Sequence, residues 1–245
     1  MIETRRFDDE AAWIGAVLAD AAGAVQEAEA EGRRAVLCLA GGRTPEPAYR
    51  AVAAWLAARA RGPGRPARPV LLVPGDERLE PRGPSDLNDT MLRRAFAPAL
   101  DLGAAELAAW NVSAGERAAV AAMAALVASI ASGLPSAAPL FDRCYLGLGA
   151  DGHVAGVFPG SPAARRAGSR SAPIAVAGTA PEEPRARVSL SLPTLASTRG
   201  TRFIVRAAGK EDALRRLASG DPACPAVAAA AEGALAFVLA RQARP

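Results

Sequence analysis

Along most of the chain, short continuous apolar runs alternate with longer segments whose apolar residues recur every three or four positions. Asp8–Ala30 has the second pattern: Trp13, Val17, Leu18, Ala21 and Val25 fall on one face of a helix, and Gly32 stops it. Ala35–Ala40 (AVLCLA) has the first, the signature of a strand buried on both faces. Gly41 and Gly42 turn the chain into a helix running to about Ala60, with Thr44 as its N-cap and Pro45 as its first residue. Arg61–Pro69 is a Gly/Pro loop, Val70–Pro74 a second buried strand, and Glu80–Ser85 another loop before a helix around Leu87–Phe96. Glu116–Ser132 is helical and Cys144–Leu148 is a third buried strand. Pro173–Ala177, Arg187–Leu192 and Phe203–Ala207 read as further strands, Glu211–Ala218 as a helix, and Leu235–Leu239 as a strand or short helix.

Buried strands alternating with helices predict an α/β fold, with a mainly parallel, Rossmann-like sheet and helices on both faces. No internal repeat or long linker divides the 245 residues, so one domain over 1–245 is expected. In such sheets ligands bind beyond the carboxyl ends of the strands. Four polar clusters fall at predicted strand ends, which argues for a single site.

The first cluster is Gly41-Gly42-Arg43-Thr44-Pro45. Its glycines let backbone amides approach a ligand, the following helix start offers free N–H donors, and Thr44 adds a hydroxyl; together these suit a phosphate. The second is Asp76-Glu77-Arg78, in which Arg78 can grip a phosphate while the acids bind sugar hydroxyls or brace the arginine. The third is Gly149-Ala150-Asp151-Gly152-His153. Histidine as a residue type can take and return a proton near neutrality, and Asp151 can orient the ring of His153. The fourth is Gly209-Lys210. Each cluster taken alone also has an ordinary reading: a plain strand-to-helix turn, a solvated loop, a packing histidine, a surface lysine.

Composition sharpens two of these. His153 is the only histidine, which excludes a multi-histidine metal site, and Lys210 is the only lysine among many arginines. The net charge of +4 is mild for this length, and no Lys/Arg block is dense enough for nucleic acid. A small anionic substrate fits better. Cys38, Cys144 and Cys224 have no metal-ligand spacing, and Cys38 and Cys144 sit in apolar runs as core thiols. The acidic N-terminal segment is no signal peptide, and Ala226–Ala240 is too alanine-rich, with Glu232 inside it, to span a membrane. A cytoplasmic protein is expected.

The four clusters, in this order, resemble the 6-phosphogluconolactonase family, whose superfamily also holds glucosamine-6-phosphate deaminases and ribose-5-phosphate isomerases. Five segments carry the resemblance: LAGGRTPEPAY (Leu39–Tyr49), GDERLEPRGPSDLN (Gly75–Asn88), LGLGADGHVAGVFPG (Leu146–Gly160), RVSLSLPTL (Arg187–Leu195) and FIVRAAGKEDAL (Phe203–Leu214). The third is the most specific. The resemblance implies a sugar-phosphate isomerase-like fold and hydrolysis of 6-phospho-D-glucono-1,5-lactone in the oxidative pentose phosphate pathway. It implies His153 as general base on the attacking water, Asp151 as its orienting partner, and Arg78 and Lys210 on the 6-phosphate. The amides of Gly41 and Gly42 and the Thr44 hydroxyl assist. Asn88 and Arg187 are further substrate-binding candidates, beside Arg43, Asp76, Glu77, Gly149 and Gly152. No metal or organic cofactor is required, the partner is a phosphorylated sugar lactone, and the chain is expected as a monomer or small homo-oligomer.

The chain departs from the family pattern at Arg43, where a serine is usual, and at Val154, Gly156 and Val157, where Thr, Ser and Leu are common. Two other readings stand beside the lactonase. A glucosamine-6-phosphate deaminase usually has tyrosine where Arg78 stands, and Asn-Glu-Pro after the phenylalanine of the histidine turn, where this chain reads Phe158-Pro159-Gly160. A non-catalytic sugar-phosphate binder would keep the phosphate grip without needing His153.

Overall fold

In chain order the elements are β1 (Glu3–Phe7), α1 (Glu10–Ala30), β2 (Val36–Leu39), α2 (Glu46–Arg61), β3 (Val70–Pro74), β4 (Asp76–Arg78), α3 (Asn88–Asp101), β5 (Ala105–Leu107), α4 (Glu116–Ser132), β6 (Arg143–Leu146), α5 (Pro162–Arg165), β7 (Ala175–Thr179), β8 (Ala186–Leu190), α6 (Leu192–Ala196), β9 (Thr201–Arg206), α7 (Glu211–Ser219), α8 (Pro225–Ala228) and β10 (Leu235–Leu239). This computed structural model describes residues 2–62, 68–79, 83–166, 169, 172–183 and 185–240. The centres of the two expected loops, 63–67 and 80–82, lie outside the described residues.

Seven strands form one parallel sheet in the order β1-β10-β9-β6-β2-β3-β5. Alternation along each central strand divides the core in two. Leu37, Leu39, Leu72, Tyr145, Ile204 and Phe237 face α1, α2 and α3. Cys38, Val73, Cys144, Leu146, Phe203 and Val205 face α4, α7 and the second sheet. The period of two is masked in the sequence because both faces are covered by apolar side chains. Helix α1 starts where Asp9 accepts a 2.7 Å bond from the Ala12 amide, and it is pinned by Trp13, whose indole donates to the Phe237 carbonyl at 3.1 Å.

The sheet contains more than the hydrophobic pattern predicts. β1 is an edge strand with four exposed residues, paired through its backbone with β10; a charged edge carries no apolar signal. β5 is only three residues long. Leu235–Leu239 is a strand. β7 and β8 do not join the main sheet: with β4 they form an antiparallel sheet in the order β4-β8-β7. Gly75 is the junction. Its amide still donates to the Leu39 carbonyl of the main sheet at 2.9 Å, while its carbonyl accepts from the Leu190 amide at 2.8 Å. The chain therefore leaves β3 and enters the small sheet within one residue. The expected cap of α2 also differs: the helix begins at Glu46, after Pro45, with no side-chain cap, and Thr44 lies in the preceding bend.

Candidate active site

β2 and β6 are neighbours, yet the chain leaves β2 toward β3 and β5, and leaves β6 toward β9 and β10. This is the point where strand order reverses, and the loops leaving the two strands part to open a crevice. Gly41, Gly42, Arg43 and Thr44 from β2, Asp76 and Arg78 from β4, Asn88 from α3, Gly149 and His153 from the loop after β6, and Lys210 after β9 line one cavity of about 340 Å³. Volumes of about 300–1,000 Å³ are usual for small-molecule sites. A second compartment of about 460 Å³ shares Asp76, Arg78 and His153 and adds Asp151, Phe158 and Arg187. A larger cavity of about 780 Å³ lies behind Asp151 and Phe158, against Arg216 and Ser161, and has no histidine in its wall.

The turn after β6 is built to present His153. The Gly149 amide donates to the His153 carbonyl at 2.9 Å, and the Gly152 amide to the Gly149 carbonyl at 3.0 Å. Asp151 Oδ1 accepts the His153 backbone amide at 3.0 Å and stands 2.6 Å from the ring Nδ1. Burial by itself would raise the Asp151 carboxyl, but the His153 amide and ring outweigh it and hold the group below the usual aspartate value. With an ionised carboxylate as partner, Nδ1 carries the ring proton and Nε2 is the nitrogen left to act as base. The ring is 35% exposed, and its inner side rests on Phe158 with centroids 4.5 Å apart.

Beneath the turn, the Arg216 Nη1 donates to the Asp151 carbonyl at 3.0 Å, and Cys224 Sγ and the Ala226 amide reach the Gly152 carbonyl at 3.4 and 3.3 Å. Lys210 Nζ donates to the carbonyl of Leu148. Burial lowers the lysine's pKa, and Asp151 partly offsets this.

The small sheet supplies the other charges. Arg78 pairs directly across from Arg187, and Asp76 across from Ser189. Like charges opposed in an antiparallel pair are unfavourable unless an anion lies nearby. Asp76 supplies part of that compensation: burial raises its carboxyl, and the fields of Arg78, Arg187 and His153 draw it back. Arg78 also donates to the Asp86 carbonyl, which holds the segment before α3. Asn88 donates to the Asp76 carbonyl at 2.9 Å and to its carboxylate at 3.2 Å. Its own Oδ1 is buried without a protein partner among the described residues. It lies where a Cβ on residue 41 would stand, 1.9 Å away, so glycine is required there.

Two of the residues expected to touch substrate do not line either compartment. Glu77 is 1% exposed, and its carboxylate accepts the amides of Arg78, Asn88 and Asp89 at 2.7–2.8 Å, which caps the start of α3. An acid following an apolar strand was free to turn in, and the unsatisfied amides of α3 gave it a reason. Gly152 is buried against Cys224 at φ +88 and serves the turn. Conversely, the reading of the sequence assigned no role to Phe158, Arg216 or Ala155, which lines both compartments at φ 49. Phe158 follows the histidine turn directly and was within reach of sequence reasoning. Arg216 is one helical arginine among many and carried no signal.

The family described as glucosamine-6-phosphate isomerases/6-phosphogluconolactonase matches residues 8–237. A 6-phosphogluconolactonase of Streptomyces coelicolor is 30% identical over 221 residues, which is 85% of this chain and 80% of that protein. A solved 6-phosphogluconolactonase from Trypanosoma cruzi superposes with a TM-score of 0.78 at 21% identity, covering 99% of this chain and 95% of its own. A monomeric glucosamine-6-phosphate deaminase superposes with a TM-score of 0.74 at 18% identity, covering 98% of each chain. At these identities the structural likeness speaks for the fold, and the two chemistries share it.

Proposed function

We propose a lactone hydrolase: the chain belongs to the glucosamine-6-phosphate isomerase/6-phosphogluconolactonase family, and its reaction is hydrolysis of 6-phospho-D-glucono-1,5-lactone to 6-phosphogluconate. The observation that carries this reading is the His153–Asp151 pair at 2.6 Å, with the ring set in the wall of a cavity ringed by Arg43, Arg78 and Lys210. A lactone is already an activated ester. Its hydrolysis needs a positioned water, a base and a grip on the phosphate, and a base in place contributes about 10²–10⁴-fold.

In this reading His153 Nε2 takes a proton from water as the oxygen attacks C1 of the lactone. Asp151 stabilises the imidazolium that forms and keeps Nδ1 protonated throughout. The imidazolium then returns its proton to the ring oxygen as the C1–O5 bond breaks, and the new carboxylic acid gives its remaining proton to solvent, so the product leaves as a carboxylate. Lys210, Arg78, the amides of Gly41 and Gly42 and the Thr44 hydroxyl hold the 6-phosphate, with Arg43 at the mouth. Arg187 and Asp76 flank the reacting end, and Asn88, which lines the cavity, braces Asp76. No step calls on a metal or organic cofactor. The work is that of the pentose phosphate pathway and is assigned to the cytoplasm; no described helix is long and apolar enough to cross a membrane.

Against the deaminase reading, Phe158-Pro159-Gly160 brings no carboxylate after the histidine turn. The deciding experiment follows 6-phosphogluconate formation above the spontaneous rate for the native protein and His153→Ala. Native acceleration lost in the variant supports the reading. A native rate equal to the spontaneous one sinks it, and release of ammonia from glucosamine 6-phosphate selects the deaminase.

A further inference from the structure

A chain of contacts leads from the segment after α7 to the histidine. The Asp221 Oδ1 accepts the Ala223 amide at 2.9 Å, and its Oδ2 accepts Arg216 Nε at 2.7 Å. The other arm of the same guanidinium, Nη1, donates to the Asp151 carbonyl at 3.0 Å. Asp151 in turn holds both the backbone amide and the ring of His153. Arg216 thus spans two anchors with one rigid fork, a geometry that a flexible ammonium cannot copy. Asp151 is exposed on a two-residue excursion between Gly149 and Gly152, and Arg216 ties its carbonyl to α7.

From this we infer that Arg216, fixed by Asp221, is a positioning residue for His153. It acts through Asp151 and touches no substrate in the proposed mechanism. The ion pair is only partly buried, so water screens it and its contribution to stability is small. Its effect falls on geometry: the Asp151 carbonyl is fixed, so the carboxylate stays on Nδ1 and Nε2 stays free of its proton. The inference rests on the lactonase reading for its kinetic consequence alone, since the ring tautomer can be observed without any reaction.

The test uses the full chain with Arg216→Ala, Arg216→Lys, Asp221→Asn and the double variant Arg216→Ala/Asp221→Asn. His153 is the only histidine, so its ring nitrogen resonances need no assignment. In the native protein, at a pH where the ring is neutral, they should report protonation at Nδ1; in each variant, a mixture of tautomers. Lactone hydrolysis should lose about 10–100-fold in kcat, the scale of a catalytic group displaced by a fraction of an ångström to an ångström, with KM little changed. The double variant should be no worse than Arg216→Ala, and added guanidinium should restore part of the Arg216→Ala rate. A native-like tautomer signal in Arg216→Ala overturns the inference, as does an unchanged kcat or a multiplied loss in the double variant. A loss accompanied by a lowered melting temperature and no guanidinium rescue also overturns it, since that marks general unfolding. If the native protein shows no lactonase activity the functional reading fails, and the tautomer comparison alone decides the positioning role.

Discussion

The ring of His153 occupies the space that a side chain on Gly149 would need: a Cβ at position 149 stands 2.0 Å from Nδ1 and 2.6 Å from Asp151 Oδ1. The glycine lets the imidazole ring lie against the backbone. Gly149→Ala should therefore push the imidazole off Asp151 and cost about 10²-fold in kcat, with the fold intact by circular dichroism. An alanine variant with native kcat would mean that the ring does not work from this position.

Asp151→Asn keeps the size of the side chain and removes its charge. The asparagine oxygen still accepts from the His153 amide, but the imidazolium formed during attack loses its counter-charge. The expected loss in kcat lies between about 10-fold and the ~10⁴-fold ceiling for a general base, with KM for the lactone nearly unchanged. A variant that raises KM and leaves kcat alone would reassign Asp151 to substrate binding.

Glu77 makes a prediction about stability. Its carboxyl is pushed up by burial, while the amides of Asn88, Arg78 and Asp89 pull it back. Glu77→Ala leaves those three donors without their acceptor at the buried start of α3, a cost of at least about 1–3 kcal/mol. Glu77→Gln retains one oxygen for the Arg78 and Asn88 amides and should cost less. Urea denaturation of the two variants measures the order. Equal stability of Glu77→Ala and native protein would show that the cap carries no weight.

Much of this architecture was legible in the residues. AVLCLA and VLLVP read as strands because they are short, apolar throughout and bounded by Gly and Pro, the pattern of a doubly covered sheet. The glycines flanking Asp151 and the lone histidine single out in the sequence the turn that lines the crevice. What escaped has a common cause. β1 is held by backbone pairing and writes no hydrophobic pattern into Glu3–Phe7. β7 and β8 have strand composition, yet their departure from the main sheet is decided at Gly75, about a hundred residues earlier in the chain and outside anything local in their own sequence. Glu77 and Arg78 are adjacent and alike in polarity. As neighbours on β4 they point to opposite faces, and the amides at the start of α3 take the one that turns inward while Arg78 faces the crevice.

Lys210 gives the pH prediction. Burial lowers its pKa from the lysine value, and Asp151 only partly restores it. A base with a lowered pKa gives up its charge earlier as pH rises, so the cation facing the phosphate is lost below the range of a free lysine. Phosphate remains dianionic there, and the attraction falls with the lysine's charge. In the proposed site, binding of 6-phosphogluconate should therefore weaken as pH climbs toward the ordinary lysine range, and take up a proton there, because the bound dianion restores the ammonium. Lys210→Arg keeps its charge over this range and should show a flat affinity profile, whatever its absolute value. Calorimetric titration in two buffers of different ionisation enthalpy measures both the affinity and the proton. Parallel profiles for native protein and Lys210→Arg would remove Lys210 from the phosphate, and leave Arg78 and the glycine-loop amides to hold it.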